Sequence, residues 1–512
     1  MSGVDIRDLM EAAATVDHAV PAAAHAGRAP ATTPEVEGPI GPTGSLSPVV
    51  LTGAVRLFEF VLVLGSGLLV HRWWLADAGA LDAVYVAAFV ALSVMTVLVF
   101  QAVGAYTVPA LRTFVTYGLR IVAGWSLVFL ITLAAVFFAK MGDNLSRVWL
   151  AAWYVVGLTS LMLERLALSV AVTAMTRRGR FDRRTAIVGG GPLAEAVIRA
   201  LEAQADTGIR IVGVFDDRAE DRSPEVIAGY PKLGGVSDLV GYARRTKLDL
   251  VIFTLPISAE TRLLQMLSKL WILPIDIRLS AHASKLRLRP RSYSYIGSVP
   301  VLDVVDKPIA DWDLVLKWLF DKIVGATLLV LLSPVFLATA IAVKLDSRGP
   351  VLFRQKRYGF NNELIEVFKF RSMHVDQCDA AAVKLVTKGD PRVTRVGRFI
   401  RKTSLDELPQ LLNVVLKGDL SLVGPRPHAL QAKAENRLYD QVVDGYFARH
   451  KVKPGITGWA QVNGWRGETD TEEKIQRRVE HDLYYIENWS VFFDLYILAV
   501  TPFALLKSDN AY

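Results

Sequence analysis

The sequence has very little cysteine: Cys378 is the single thiol among 512 residues. One cysteine excludes an intramolecular disulfide framework and a cysteine-rich zinc site, and it fits a chain whose bulk faces a reducing compartment. Residues 1–48 lack the basic start and the apolar core of a secretory signal. They are rich in alanine and proline and have little apolar surface to offset ordering entropy, so we predict a disordered cytoplasmic leader.

Charge is also sparse, since charged residues make up 21% of the chain and hydrophobic residues 52%. This hydrophobic share indicates membrane segments and argues against an ordinary soluble protein. The formal net charge of +8 suits an anionic partner. In a chain this apolar we expect a lipid bilayer and phosphorylated substrates as partners, and no nucleic acid. The length predicts two or three domains.

Four apolar runs follow the leader, each close to the ~20 residues that a helix needs to cross a bilayer. They cover residues 49–70, 83–106, 118–139 and 149–172. We therefore predict a membrane α-helical bundle of four transmembrane helices over residues 49–176. Cationic flanks stay in the cytoplasm. A cluster of arginines after the fourth run therefore predicts a multi-pass inner-membrane protein whose chain emerges in the cytoplasm: Arg177, Arg178, Arg180, Arg183 and Arg184.

Two adjacent charges, Glu164 and Arg165, lie inside the fourth run. Charged side chains are costly in a bilayer and commonly mark a functional site. Pairing with a neighbouring helix is at least as good an explanation, so the sequence leaves both readings open.

Residues 177–300 indicate a Rossmann-like α/β module. A buried strand leads into residues 189–194, which have the G-x-G-x-x-A spacing of a phosphate-binding turn before a helix. A second strand ends at Asp216, near the place of a ribose-binding acid. Gly189, Gly191 and Asp216 are therefore candidate nucleotide-binding residues, although a scaffold without a ligand fits the same pattern. The module also offers a surface for pairing into a homodimer.

A fifth apolar run, residues 323–343, contains Ser333 and Pro334 at its middle. Proline removes a helical hydrogen bond, so a kink is expected there. A full span would place the charged residues that follow outside the cell, although their composition is that of a soluble domain that acts on phosphorylated ligands. We therefore predict a re-entrant helix near 320–344, in which the Ser333 hydroxyl binds the carbonyl that proline leaves free. An ordinary kinked span is the alternative.

Residues 349–464 are dense in glycine, proline, arginine and lysine, and they contain the adjacent carboxylates Asp406 and Glu407. Such a pair among cations suits magnesium-assisted phosphoryl transfer. An aspartate can also attack phosphorus itself. Local spacing favours a simpler reading, because Ser404 and Glu407 match a capping box at a helix start. The two roles are compatible, since phosphate also binds well at helix N-termini.

Six motifs then occur in one order: Ser333-Pro334, Lys369-Phe370-Arg371, Asp390-Pro391-Arg392, Asp406-Glu407, Pro425-Arg426-Pro427 and Pro454-Gly455-Ile456-Thr457-Gly458. On these motifs residues 311–512 resemble the bacterial sugar transferase family, the monotopic phosphoglycosyl transferases. The four helices and the α/β module resemble those of the family's long members. The resemblance implies an α-rich (α+β) monotopic catalytic domain over 311–512, with a re-entrant helix.

The resemblance also implies a two-step reaction with Mg²⁺. Asp406 attacks the sugar-bearing phosphorus of a UDP-sugar and releases UMP, and undecaprenyl phosphate then takes the phosphosugar. Glu407 helps to position the metal or the incoming phosphate, so that both carboxylates are candidate metal ligands. The cations expected around the phosphates are Lys369, Arg371, Arg392, Arg398 and Arg426; Arg426 is the strongest candidate because two prolines stiffen its backbone.

Residues 466–490 resemble the glucose-phosphate transferases of the family, with galactose-phosphate enzymes as the nearest competitor. The resemblance thus implies the initiating step of exopolysaccharide, capsule or holdfast-type synthesis. Two other classes compete: a membrane-anchored nucleotide-binding scaffold or sensor, and a transporter or polymerase, which the few intramembrane polar residues disfavour. The final apolar run, 489–506, fits either an interfacial helix or a last membrane contact.

Overall fold

The chain forms two compact units, Val36–Asp182 and a second that begins at Arg183. The computed structural model describes residues 45–74, 82–140, 145–204, 207–218, 223–256, 259–281, 294–374, 390–428, 433–434, 437–438, 445–465, 467 and 471–507. The predicted leader and Cys378 lie outside the described residues.

The first unit is a helix bundle. Its helices are α1 (Pro48–Trp74), α2 (Ala83–Ala102), α3 (Val108–Arg112), α4 (Phe114–Phe138) and α5 (Arg147–Arg177). All except the five-residue α3 are long and apolar enough to cross a membrane. Their outward faces expose large apolar side chains such as Val115 and Phe138, as expected of helices in lipid. The prediction of four apolar helices is confirmed; the second run breaks at Ala102, and the fourth helix continues through Arg177.

Tryptophans fill the interior of the bundle, and glycines make room for them. Trp125 and Trp153 are fully buried. A β-carbon on Gly67 would lie 2.5 Å from the Trp153 ring, and one on Gly157 would lie 2.5 Å from the Trp125 ring. Small residues at these positions therefore allow close helix packing, as is typical of membrane bundles.

The second unit begins with an α/β region. Its strands are β1 (Arg183–Val188), β2 (Ile209–Phe215), β3 (Val226–Ile227), β4 (Tyr230–Gly234), β5 (Leu250–Phe253), β6 (Asp276–Ser280), β7 (Ser294–Ile296) and β8 (Val299–Val305). Its helices are α6 (Pro192–Glu202), α7 (Val236–Thr246) and α8 (Glu260–Leu270). The strands form one sheet in the order β3-β4-β2-β1-β5-β6-β8-β7. The centre is parallel and the edge pairs are antiparallel, so the predicted α/β region is confirmed.

A bent helix pair follows, formed by α9 (Asp311–Leu331) and α10 (Ser333–Asp346). The two helices meet at an angle of 61°. Pro334 has no N–H to give to the carbonyl of Val330, and the Ser333 hydroxyl donates to that carbonyl at 2.7 Å. The bend therefore lies at the predicted serine–proline pair, while the return of the chain to one membrane face stays a prediction.

The remaining elements form the domain that follows the bent pair. Its strands are β9 (Leu352–Tyr358), β10 (Leu364–Phe370), β11 (Ser421–Val423), β12 (Lys433–Ala434), β13 (Arg437–Leu438) and β14 (Gly455–Thr457). Its α-helices are α11 (Arg395–Lys402), α12 (Gln410–Leu412), α13 (Trp459–Val462), α14 (Glu472–Glu487) and α15 (Val491–Lys507). The buried Lys317 of α9 lies 2.6 Å from the buried Asp494 of α15, so an ion pair joins the C-terminal helix to the bent pair.

Candidate active site

Asp406 and Glu407 lie in a 3-10 turn, Leu405–Glu407, just after α11. Ser404 before it has a left-handed backbone, with φ 60°, and its side chain does not cap the turn. The capping-box prediction is therefore wrong. The tight turn directs the Glu407 side chain to cations that are distant in the sequence, which local spacing cannot reveal.

Glu407 is bound by two cations. Lys369 Nζ, on β10, donates to Glu407 Oε1 at 2.9 Å. Arg426 donates from Nη2 to Oε1 at 2.6 Å and from Nη1 to Oε2 at 3.2 Å, so that its guanidinium binds both carboxylate oxygens. Burial acts to raise the pKa of Glu407, but Arg426 and Lys369 outweigh it and hold the pKa well below its ordinary value.

Asp406 has the opposite shift. Burial raises the pKa of Asp406 to about 6. The Glu407 carboxylate acts in the same direction, and nearby cations oppose it: Lys369, Arg401 and Arg426. The Asp406 carboxylate is therefore ionised at neutral pH and more basic than a solvated one, which suits a nucleophile. Arg401 was not predicted as a site residue; its signal was its position five residues before Asp406.

The structure thus brings together four of the predicted residues and places three elsewhere. Arg371 is buried, and its guanidinium donates to the carbonyls of Ser347, at 2.8 Å, and Arg348, so that it holds the end of α10. Arg392 pairs with its neighbour Asp390 at 2.6 Å. Arg398 is exposed on α11. Phosphate contacts by these three arginines stay a prediction.

The predicted nucleotide-binding turn contains glycines with positive φ, but the carboxylate of its acidic residue, Asp216, already has partners within the protein. Gly189 and Gly191 have φ of 98° and 90°, and residues with a side chain rarely adopt such positive values. Asp216 accepts the Gly190 N–H at 2.6 Å and pairs with Arg218 at 2.7 Å. Burial acts to raise the pKa of Asp216, but these hydrogen bonds lower it. A nucleotide would have to displace Arg218 to reach this carboxylate.

A mostly apolar cavity of about 190 Å³ lies beside Glu407. Its walls come from the bent pair, β11, β14, α13 and α15. They include Leu328, Leu332, Leu408, Leu422, Ile456, Gln461, Leu498 and Ala504. The buried Gln461 Oε1 has no hydrogen-bond partner among the described residues, so a ligand in this mostly apolar cavity could donate a hydrogen bond to it.

The side chains of the site could hold a magnesium ion only together with oxygen atoms of a bound substrate. The described residues contain no group of three or more acid, histidine or cysteine side chains that could hold a metal. Mg²⁺ is commonly bound by one or two carboxylates together with substrate phosphates. Asp406 has no hydrogen-bond partner among the described residues, whereas both oxygens of Glu407 are bound by cations. Of the two carboxylates, Asp406 would therefore be the more available to a magnesium ion, because Glu407 already binds two cations.

Buried side chains behind Arg426 fix its backbone. Arg449 donates to the Arg426 carbonyl at 2.6 Å and forms a fully buried pair with Asp482 at 2.6 Å. Arg449 also donates to His428 Nδ1 at 2.6 Å. These contacts hold the loop after β11 in place, and Arg426 with it. They were missed in the sequence because Arg449 and Asp482 lie 23 and 56 residues beyond Arg426.

The buried His428 ring predicts that the protein loses stability in acid. Burial and the surrounding cations, chiefly Arg449 and Arg478, hold the pKa of His428 well below its ordinary value. Below pH ~6.5 the His428 ring binds a proton in the unfolded chain but stays neutral in the folded chain. The free energy of unfolding therefore decreases by up to about 1.4 kcal/mol per pH unit. We expect the thermal midpoint of the full chain to fall between pH 7 and pH 5, and to fall less in His428→Gln. Equal slopes for the two proteins would contradict this.

Two protein families match the chain. The bacterial sugar transferase family matches residues 312–508, which contain the bent pair, Asp406, Glu407 and the cations around them. A CoA-binding domain family matches residues 101–281, which include most of the α/β sheet. The fold and the site therefore define a membrane protein with an α/β region and a sugar transferase domain.

Curated relatives match most of the chain. A UDP-glucose:undecaprenyl-phosphate glucose-1-phosphate transferase of Escherichia coli (strain K12) is 36% identical over 475 residues, covering 90% of this chain and 97% of that protein. One of the same name from Klebsiella pneumoniae is 36% identical, covering 83% and 90%. An undecaprenyl-phosphate galactose phosphotransferase of Salmonella typhimurium is 30% identical, covering 71% and 76%. This chain belongs to the bacterial sugar transferase family.

Proposed function

We propose that the protein transfers glucose 1-phosphate from UDP-glucose to undecaprenyl phosphate, with UMP as the other product. The observation that carries the proposal is the basic Asp406 carboxylate beside the ion-paired Glu407, Lys369 and Arg426. Relatives with nearly full-length matches bear the name of this reaction. A membrane bundle in the same chain suits a lipid acceptor.

In the first step Asp406 attacks the phosphorus that carries glucose. A bond forms between its carboxylate oxygen and phosphorus, the bond from that phosphorus to the bridging oxygen breaks, and UMP leaves. The enzyme then holds the phosphosugar as an acyl phosphate. The raised pKa of Asp406, about 6, still lies below neutral pH, so the carboxylate is ionised there and is a stronger nucleophile than a solvated one.

The cations stabilise the charge that develops in this step. Arg426 and Lys369 lie within hydrogen-bond distance of Glu407, so their positions are fixed before the substrate arrives. Magnesium, when bound by Asp406 and the diphosphate, would neutralise the phosphate oxygens. Glu407 acts as the residue that orients both cations.

In the second step the acceptor phosphate attacks the phosphorus of the acyl phosphate. Its oxygen bonds to phosphorus, the bond to Asp406 breaks, and undecaprenyl-diphospho-glucose leaves. The cavity of about 190 Å³ beside Glu407 is suited to the first isoprene units of the acceptor, because its lining is mostly apolar and includes residues of α9 and α15.

Filling this cavity tests the acceptor assignment. Ala504 lines it, and the neighbouring Phe503 is exposed. We expect Ala504→Trp to raise the KM for undecaprenyl phosphate at least about tenfold, because the indole takes the volume of the prenyl chain. UMP release without acceptor should stay normal. Phe503→Trp is the matched control and should leave both steps unchanged; an unchanged KM in Ala504→Trp would contradict the assignment.

Purified full chain with magnesium and undecaprenyl phosphate tests the reaction. UDP-glucose, UDP-galactose and their N-acetyl counterparts are compared at equal concentration, and we expect the fastest UMP release with UDP-glucose. Fastest release with UDP-galactose would support the galactose reaction of the Salmonella relative. No UMP release with any donor would contradict the reaction class.

The setting of the reaction is part of the proposal. We place the protein in the bacterial inner membrane, with a re-entrant bent pair and the catalytic domain in the cytoplasm, where UDP-sugars occur. The arginines after α5 support this orientation. A relative from Rhizobium leguminosarum that is 49% identical over 200 residues is named an exopolysaccharide production protein, which supports a role in starting exopolysaccharide synthesis. The α/β region is the surface we propose for a homodimer.

A further inference from the structure

A buried ion pair lies inside the helix bundle. Arg165 on α5 lies 2.6 Å from Glu59 on α1, and both side chains are almost fully buried. Tyr106, in the link between α2 and α3, donates to the other Glu59 oxygen at 2.5 Å. Arg165 also donates to the carbonyl of Ala105 in the same link, at 3.1 Å. Glu164, beside Arg165, is the third charged residue of this region and lies 3.7 Å from the Arg165 guanidinium.

These charges fix a segment of chain. Placing charged groups inside a membrane bundle costs free energy, so such groups usually have a structural or functional role. Here their contacts converge on the α2–α3 link, whose Ala105 and Tyr106 are buried in the bundle. The link leads directly into α3, so the ion pair determines where this short helix lies. Of the two readings that the sequence left open for Arg165, pairing with a neighbouring helix is therefore observed.

A basic cavity lies between the end of α3 and the last turns of α5. Its volume is about 480 Å³. We call it the arginine groove; its lining residues are Arg112, Ser169, Val170, Thr173, Ala174, Arg177 and Arg178. Three arginines and two hydroxyl-bearing residues therefore line one cavity at one end of the bundle, and none of the described residues that line it is acidic.

We propose that the arginine groove binds the phosphate group of a membrane lipid. Guanidinium groups bind phosphate oxygens in a bidentate way and are weakly hydrated, which suits a headgroup site. The groove lies where apolar helices end, which is the level of lipid headgroups. Val170 and Ala174 are exposed along its side, and they give an acyl or prenyl chain an apolar path away from the phosphate.

Two lipids share this chemistry: an anionic phospholipid of the bilayer, and a polyprenyl phosphate such as the acceptor proposed above. The inference requires only that the bundle lies in a membrane. It therefore does not depend on the sugar transferase reaction, and the two can fail separately.

Native mass spectrometry of the full chain in detergent tests the proposal. The protein is titrated with phosphatidylglycerol, phosphatidylcholine or undecaprenyl phosphate. The groove variant combines Arg112→Gln, Arg177→Gln and Arg178→Gln. The matched control combines Arg72→Gln, Lys140→Gln and Arg147→Gln, three exposed cations at the opposite ends of α1, α4 and α5.

We expect the groove variant to bind phosphatidylglycerol or undecaprenyl phosphate at least about tenfold more weakly than wild type. The control should bind like wild type, and phosphatidylcholine should not distinguish the proteins. If the groove variant binds only one of the two anionic lipids more weakly, that lipid is the one that the groove binds. Equal binding by wild type and groove variant, or an equal loss in groove variant and control, would overturn the proposal. If the triple variant does not fold, the single variants Arg112→Gln and Arg177→Gln replace it, each with an expected loss of about threefold and the same overturning result.

Discussion

Asp406→Asn is expected to abolish turnover. The amide keeps the shape of the side chain but cannot form an acyl phosphate, so the first step loses its nucleophile. We expect UMP release to fall by at least about 10³-fold. The full chain incubated with UDP-glucose labelled in the sugar, without acceptor, should carry label in wild type and none in Asp406→Asn.

The control removes a carboxylate of the same type that follows β8 of the α/β region. Asp306 is exposed and pairs with Arg278, and we expect Asp306→Asn to keep both turnover and labelling. Equal thermal midpoints for the two variants would exclude unfolding as the cause. Full turnover in Asp406→Asn would refute the nucleophile assignment while leaving the overall reaction standing.

The membrane part of the fold was predictable because its determinant is local. Every residue of an apolar run contributes to the same signal, so residues 118–139 predict a helix close to the observed Phe114–Phe138. The error at the second run has a physical cause. Composition continues apolar through Tyr106, but Tyr106 turns inward to donate to Glu59, and that partner lies 47 residues away.

The active site was predictable in composition and not in geometry. The density of cations around Asp406 indicated phosphoryl transfer, but the sequence also fitted a capping box for Ser404 and Glu407. The left-handed Ser404 and the pairing of Glu407 with Lys369 and Arg426 decide against it. These partners lie 38 and 19 residues away, so only the folded chain brings them together. For the same reason the sequence could not show that Arg371 binds carbonyls at the end of α10, whereas Lys369 and Arg426 bind Glu407.

Arg426→Lys is the second variant with a large expected effect. The guanidinium of Arg426 makes two hydrogen bonds to Glu407, at 2.6 and 3.2 Å, and an ammonium group cannot reproduce this planar pair. Glu407 would then lose hydrogen bonding that helps to lower its pKa, and the position of Lys369 would be less firmly fixed. We expect the single-turnover rate of UMP release at saturating UDP-glucose to fall about 10²-fold, with a smaller change in donor affinity.

The comparison that makes this result specific is Arg477→Lys, on the exposed face of α14, where Arg477 pairs with Glu480 at 3.1 Å. It changes the same chemical group and should leave the rate unaltered, because exposed pairs contribute little. Arg449 holds the backbone of Arg426 through its carbonyl, so the loop should keep its position in Arg426→Lys and the thermal midpoint should match wild type. A normal rate in Arg426→Lys would mean that the charge of residue 426 suffices and that the two-bond geometry is not needed; a lower rate with an unchanged midpoint assigns the loss to that geometry.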